Sequence, residues 1–288
     1  MKARNFRYLR PSSLAHAYQA LAEAGGDAVA VAGGQSLLAG LNMRLSAPKL
    51  LVDIGDLNEL RGQSHADGTV RLGALTRHGE LLSSDLVRKH LPLLRQAAPH
   101  IGHVAIRNRG TLGGSLAYAD PSAELPACAV ALGATMVLGS IAGEREVKAE
   151  NFFKGLFDTD LQSGELIIAV KFPMTPPGTS VGFTELSRRH GDFALAGLAA
   201  VATFQEQTIG ETRLVYIGCA DRPRLATKVS AAIKGLRAPL SDTAAFERAI
   251  RQDLAPEDTP GLRGDTRLHM ATVLTRRLLN SMSERVAA

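Results

Sequence analysis

Apolar positions along the chain change their spacing from one segment to the next, and the spacing predicts the elements. In "SSLAHAYQALAEAG", residues 12 to 25, Leu14, Tyr18, Leu21 and Ala22 share one helical face. Ser12 or Ser13 caps that helix, and Gly25-Gly26 ends it. "AVAVAGG" then reads as a short apolar strand running into a glycine pair, followed by a short helix in "SLLAGLNMRLS" that Pro48 prevents from continuing. "KLLVDI" and the alternating "TVRLGALT" read as strands. "HGELLSSDLVRKHLPLLRQAAPHIG" is mostly helical with a break near Pro92. "AELPACAVALGATMVLGS" predicts a helix that turns at Gly133 into a strand, with Asp120 and Pro121 as N-cap and first-turn pair. "LIIAVKFP" is another strand.

The proline- and glycine-dense "PMTPPGTS" marks a domain boundary. Beyond it, "VGFTELSR", "LAGLAAVATFQ" and "TRLVYIGCA" predict the strands of a small sheet, and residues 226 to 236, 241 to 253 and 265 to 284 predict helices. The class is α+β. With 288 residues, 45% of them apolar, the chain has enough material for two cores. The expected domains are residues 1–177 and 178–288. No internal repeat appears beyond the recurrence of a glycine loop.

Charge changes this picture little. Lys and Arg number 33 against 28 Asp and Glu, a net charge of +5, which favours anionic partners. The basic residues occur as pairs, such as Arg107/Arg109, Arg188/Arg189 and Arg276/Arg277, and not as the tract that nucleic acid demands. No apolar run reaches the ~20 residues a membrane span needs. The N-terminal stretch has no signal-like apolar core, so the expectation is a cytoplasmic protein without membrane insertion. Cys128 and Cys219 are too few and too far apart for a self-contained zinc or iron–sulfur site, and read as reduced structural thiols.

Two loops carry the chemistry. "AGGQS" offers Ala32, Gly33, Gly34, Gln35 and the Ser36 hydroxyl before a helix; "TLGGS" offers Thr111, Gly113, Gly114 and Ser115. Glycines let a backbone approach a phosphate closely, and a helix start behind them adds N–H groups and a favourable dipole. Neither loop matches the G-x-G-x-x-G or G-x-x-x-x-G-K-[ST] patterns. Each alone reads first as a plain turn; together they raise a shared anionic ligand, and spacing carries no further.

The full strings "AVAVAGGQSLLAGLNMRLSAPKLLVDI", "IRNRGTLGGSLAYADPSAELPACAVALGA" and "FTELSRRHGDFALAGLAA" resemble the FAD-binding medium subunit of the molybdenum hydroxylases, the family of carbon monoxide dehydrogenase and xanthine dehydrogenase. The resemblance runs from Phe6 to the C-terminal helices. It implies a two-lobed FAD-binding domain of the vanillyl-alcohol-oxidase (PCMH) type, with lobes at about 1–57 and 58–177, and a small C-terminal α/β domain with a three-stranded antiparallel sheet and helices. It implies that Ala32 to Ser36 and Thr111 to Ser115 grip the FAD pyrophosphate from opposite sides. Glu124 then takes the place of an acidic residue on the adenosine ribose, and Asp120 caps a helix or orients the loop beside the flavin chain. Ile101 and Ile168 pack around the cofactor, and Gly73 and Thr76 form a further flavin-lining turn. Phe193 shields the flavin ring, with Asp192 and Arg188 shaping polarity near it. Thr184 and Glu185 stand where several relatives carry a lysine, and Ser115 stands where Asp or Asn is common.

The remaining motifs add little. His100 and His103, three apart, lack further ligands for a metal. Ser36, Ser115 and Ser122 sit in no G-x-S-x-G elbow, so hydrolysis finds no support. The expectation is an FAD-carrying electron-transfer subunit. It takes electrons from [2Fe-2S] clusters on a small partner subunit, and substrate is oxidised on a large molybdopterin subunit carrying the molybdenum cofactor, the whole a dimer of heterotrimers. The alternatives are a stand-alone FAD oxidase or reductase of the same fold, and a basic, non-enzymatic binding module. The substrate and the terminal electron acceptor cannot be read from this chain.

Overall fold

A computed structural model describes residues 2–287. Three sheets set the architecture. The first is parallel, with Leu50–Asp53 between Arg7–Leu9 and Ala28–Val31. Its connection is the helix Leu14–Ala24, whose Ser13 cap accepts a hydrogen bond from the His16 N–H, as the sequence predicts. The second is antiparallel and five-stranded, in the order Gln63–Ala66, Thr69–Gly73, Leu166–Pro173, Thr135–Ser140, Gly143–Lys148. The third is the antiparallel meander Thr179–Leu186, Ala196–Gln205, Thr208–Ile217.

Strand periodicity sends alternate residues into different cores. In the second sheet, Met136 and Leu138 face one core with Leu72 and Phe172, while Val137, Ile168 and Ala169 face another with Leu50, Val52, Leu60 and Leu75. In the third sheet, Ala199, Val215 and Ile217 join the first of these cores. Leu198, Ala200, Leu214 and Tyr216 pack under the C-terminal helices with Phe246, Ile250 and Leu279. The third sheet is thus covered on both faces, which explains why "LAGLAAVA" is continuously apolar. Each fully buried Leu or Phe here is worth about 1.5–3 kcal/mol relative to exposure.

Polar side chains tie the layers together. The Arg213 guanidinium, on Thr208–Ile217, donates to the Val130 and Ala131 carbonyls at 2.8 Å each, capping the C-terminal end of the helix Glu124–Ala131. Arg267, on the helix Gly264–Ala287, donates to the Leu195 and Gly218 carbonyls. Cys128 and Cys219 are free and buried, and burial pushes the Cys219 thiol up to about 12.

Several elements differ from their sequence-based expectation. The helix after the first glycine loop ends at Asn42, well before Pro48, because Arg44 takes a left-handed conformation (φ 59°). The stretch from His78 is three short helices, Glu80–Ser83, Asp85–His90 and Pro92–Ala97. Ser84 makes the additional break, its hydroxyl accepting from the Val87 N–H. Asp120 caps no helix: the next helix begins at Glu124 with Ala123 as its N-cap, and Asp120 accepts from the Ser122 N–H at 2.8 Å in a tight turn. The strand Gly143–Lys148, with only Arg145 and Val147 partly covered, carries too many charges to be read in advance.

Candidate functional site

One deep cleft of about 600 Å³ runs between the parallel sheet, the five-stranded sheet and the loop after Thr179–Leu186. That volume is in the range of cofactor sites. Both glycine loops open on it, and they also touch each other. A Cβ on Gly33 would lie 2.2 Å from the Arg109 carbonyl oxygen, so only glycine lets the first loop close against the second. A Cβ on Gly113 would lie 2.6 Å from that of Ala74, so the second loop is seated equally tightly on the end of the strand Thr69–Gly73.

The loops differ in what they offer a ligand. In the second, every N–H at the helix start is taken. Leu112 donates to the Thr76 carbonyl and Gly113 to that of Ala74; Gly114 donates to the Thr111 hydroxyl and Ser115 to the Thr111 carbonyl. In the first loop, among the described residues, the N–H groups of Gly33, Gly34, Gln35 and Ser36 have no protein acceptor. Gln35 folds its amide back on the Gly33 carbonyl at 2.9 Å, and Ser36 makes no capping bond, which leaves its hydroxyl free. A row of unpartnered N–H groups at a cleft wall is a donor set for an anion, and it fits the pyrophosphate of a dinucleotide. The second loop supplies shape and the Ser115 hydroxyl.

Of the residues singled out by sequence, Ala32 to Ser36, Ile101, Thr111, Gly113, Gly114, Ser115, Asp120, Glu124, Asp192 and Phe193 all line this cleft. Phe193 is largely exposed at its mouth, and the neighbouring Gly191 packs on Gly102, closing one end. Gly73, Thr76, Ile168 and Glu185 stand behind the wall instead. Gly73 packs against the Leu60 and Arg61 backbone. Thr76 is buried, with its hydroxyl unpartnered, and Ile168 belongs to the core beneath the parallel sheet. Glu185 is buried beside His100, whose Nδ1 lies 3.4 Å from its carboxylate. The Arg107 guanidinium lies outside the cleft lining; it donates to the Pro99, Ile101 and Gly102 carbonyls and so shapes the loop that carries Ile101.

The structure adds wall residues that the sequence did not reveal. His78 lines the cleft, and its Nε2 donates to the Thr111 carbonyl at 3.0 Å. Burial pushes the imidazole down to about 4, so it stays neutral and props the second loop. No local pattern marks it, since it lies in the turn that follows the strand Thr69–Gly73. Tyr118 and the segment Leu161 to Ile167 complete the wall. Arg145 holds that segment by pairing with Glu165 at 2.6 Å and Asp160 at 2.7 Å, which keeps both carboxyls below their ordinary range. Glu124 has no side-chain partner, and burial pushes its carboxyl up to about 8; burial likewise raises Asp120. Among the described residues, no group of three His, Cys, Asp or Glu is placed to hold a metal, and no helix is long and apolar enough to cross a membrane.

Fold and cleft together define a dinucleotide-cofactor protein with a separate, helix-covered sheet at its C-terminal end. Residues 4–175 match the family described as the FAD binding domain in molybdopterin dehydrogenase, and residues 182–282 match the CO dehydrogenase flavoprotein C-terminal domain. The chain belongs to this family, the FAD-binding medium subunits of the molybdenum hydroxylases, and is an oxidoreductase subunit. It is 34% identical over 284 residues, 98% of each chain, to the carbon monoxide dehydrogenase medium chain of Hydrogenophaga pseudoflava. It is 43% identical over 219 residues to the alpha subunit of the 6-hydroxypseudooxynicotine dehydrogenase complex of Paenarthrobacter nicotinovorans, covering 76% of this chain and 74% of that one. The Hydrogenophaga pseudoflava carbon monoxide dehydrogenase structure superposes with a TM-score of 0.94 over 99% of both chains, at 34% identity. Quinoline 2-oxidoreductase from Pseudomonas putida 86 superposes with a TM-score of 0.92 over both full chains, at 35% identity.

Proposed function

We propose that this chain carries FAD in the cleft and passes electrons from [2Fe-2S] clusters on a small partner subunit to an external acceptor. Substrate is oxidised on a large molybdopterin subunit, and the three chains assemble as a dimer of heterotrimers. The observation that carries the reading is the row of free N–H groups from Gly33 to Ser36, on the wall of a cleft large enough for a cofactor, in a chain of this family. Residues 1–177 form the cofactor-binding domain and 178–288 the C-terminal domain. Bound FAD supplies the redox chemistry. The protein's own residues bind, orient and insulate it. Gly33 to Ser36 donate to the pyrophosphate, and Thr111 to Ser115 close the opposite side. Ile101 and Phe193 exclude water from the cofactor, with Asp192 beside them setting local polarity. Glu124 and Asp120 face its polar groups. Gly73, Thr76 and Ile168 act from behind, by seating the segment Ala74–Leu75 that forms part of the wall.

Two measurements test this. The purified chain is expected to be yellow and to release FAD, not FMN, on denaturation; a colourless chain that cannot be reconstituted with FAD would sink the reading. Affinity capture of the chain from its own cells is expected to bring down one partner with iron–sulfur absorption and one with molybdopterin. Capture of the yellow chain alone would favour a stand-alone flavoenzyme.

A further inference from the structure

Two residues in the left-handed conformation, neither of them glycine, bring a pair of aromatic rings together at the cleft wall. The helix Leu112–Tyr118 starts at the second glycine loop, and Gly113, Gly114, Ser115, Ala117 and Tyr118 all line the cleft. At ~1.5 Å per residue, Tyr118 stands about 6 Å further along the helix axis than Gly114. Ala119 ends the helix at φ 53°, so the Tyr118 side chain is the last that this helix presents to the cleft. Its ring meets that of Phe157 edge-on, with centroids 5.2 Å apart. Phe157 sits at the tip of the hairpin between Phe153–Gly155 and Asp158–Thr159 and takes φ 54°. A bulky side chain is rarely held in that conformation, and such strain concentrates at binding sites. Burial does not account for it, since Phe157 is 51% exposed; its ring contact is with Tyr118.

We propose that Tyr118 is the platform on which the adenine of the dinucleotide stacks, and that Phe157 is the positioning residue that holds its ring. The inference rests on the cleft being the FAD site. A dinucleotide held at its pyrophosphate has one ring system on each side. The redox-active ring must exchange electrons with other molecules, so it takes the end where the loop carrying the exposed Phe193 packs on Gly102. Adenosine then takes the part of the cleft lined by Tyr118 and by Leu161 to Ile167, a segment whose Gly164 packs on Ala22 of the helix Leu14–Ala24. Among the described residues that line the cleft, Tyr118 and Phe193 alone carry a phenyl ring, and His78 is spent on the second loop. A purine gains most from a flat aromatic face. A ring already fixed by an edge-on neighbour offers that face with little further loss of rotamer freedom.

The test separates the two halves of the ligand. ADP carries the adenosine and the pyrophosphate without the flavin, and FMN carries the flavin without the adenosine; each is titrated into the FAD-free full chain alongside FAD. Tyr118→Ala is expected to weaken FAD and ADP about tenfold and to leave FMN within about twofold of wild type. Tyr118→Phe keeps the ring and is expected to bind all three as wild type does. The chain has no tryptophan and four tyrosines, so tyrosine emission reports the contact directly. ADP is expected to quench that emission in wild type, and the quenching is expected to be lost in Tyr118→Phe. Phe157→Gly relieves the left-handed backbone, so it is expected to keep or raise the melting temperature while weakening ADP several-fold. A merely structural role for the pair would lower the melting temperature and weaken FMN as much as ADP. Unchanged ADP affinity in Tyr118→Ala or Phe157→Gly, equal losses of ADP and FMN, or quenching that survives in Tyr118→Phe overturns this inference and leaves FAD binding standing. No FAD binding by the wild-type chain overturns the FAD reading, and this inference with it.

Discussion

At the scale of single residues, the two glycine loops are a fitting problem before they are a binding motif. Gly33 is needed because the Arg109 carbonyl occupies the space of its side chain. Gly33→Ala is therefore expected to lower FAD affinity at least about tenfold and to cost about 1–3 kcal/mol in denaturant unfolding, through forced backbone movement. Gly26→Ala, in open space at the rim of the same cleft, is the matched control and is expected to stay within about 0.5 kcal/mol of wild type. Equal effects in the two variants would remove the contact from the explanation. The pairing of "AGGQS" with "TLGGS" was legible in sequence; the division of labour between them was not. Thr111 spends its hydroxyl on the Gly114 N–H, and Thr76 and Ala74 consume the next donors, so the second loop's helix start is closed to a ligand. Those acceptors come from a segment more than thirty residues earlier, and no local pattern announces them.

At the scale of elements, the least regular wall of the cleft is held by charge. Leu161 to Glu165 has no secondary structure of its own, and Arg145 anchors it from a neighbouring strand. The Arg145 guanidinium also donates to the Asp160 carbonyl at 2.6 Å, so one side chain supports three acceptors. Arg145→Met leaves Glu165, only 10% exposed, without its counter-ion. Because Arg145 itself is partly solvated, the expected cost is about 1–3 kcal/mol, below that of a fully buried pair. Limited proteolysis should then cut within residues 160–165, and FAD binding should weaken. Unchanged protease resistance would place the rigidity of this wall elsewhere. The alternating and apolar strands were readable at this scale, since each obeys its own period. The strand Gly143–Lys148 that carries Arg145 was not, because it sits at a sheet edge and its polar residues face water or ion pairs.

At the scale of the whole molecule, the buried His78 and the cleft-lining Glu124 make stability depend on pH in opposite ways. His78 is held near 4, below its ordinary 6.5, so its contribution is complete above about pH 6.5 and is lost as pH falls towards 4. Glu124 is held near 8, above its ordinary 4.5, so its contribution is complete below about pH 4.5 and is lost as pH rises through 8. The slopes oppose each other between about pH 4.5 and 6.5. Above that only the Glu124 slope remains, reinforced by His100, whose contact with Glu185 raises its own titration. The FAD-free chain is therefore expected to lose stability from about pH 6.5 to about pH 8, by at most about 1.4 kcal/mol per pH unit for a single group. Glu124→Gln should flatten most of that fall. Urea unfolding across this range measures both, and a wild-type curve rising towards pH 8 would contradict the assigned burial of Glu124.

Sequence by itself determined what depends on neighbours in the chain. Period and capping settled the longer apolar strands, the helix Leu14–Ala24 and the third sheet, and the glycine and hydroxyl strings carried the family and its cofactor. Tertiary structure alone decided which donors are free and which side chains face the cleft. The first-loop N–H groups are available because nothing folds over them, and those of the second are not, because Ala74 and Thr76 do. Glu185 lies outside the cleft lining and pairs instead with His100, from the 3-10 turn Ala98–His100, at 3.4 Å. Solvation and charge proximity are properties of three-dimensional neighbours, and residues 100 and 185 become neighbours only when the chain is folded.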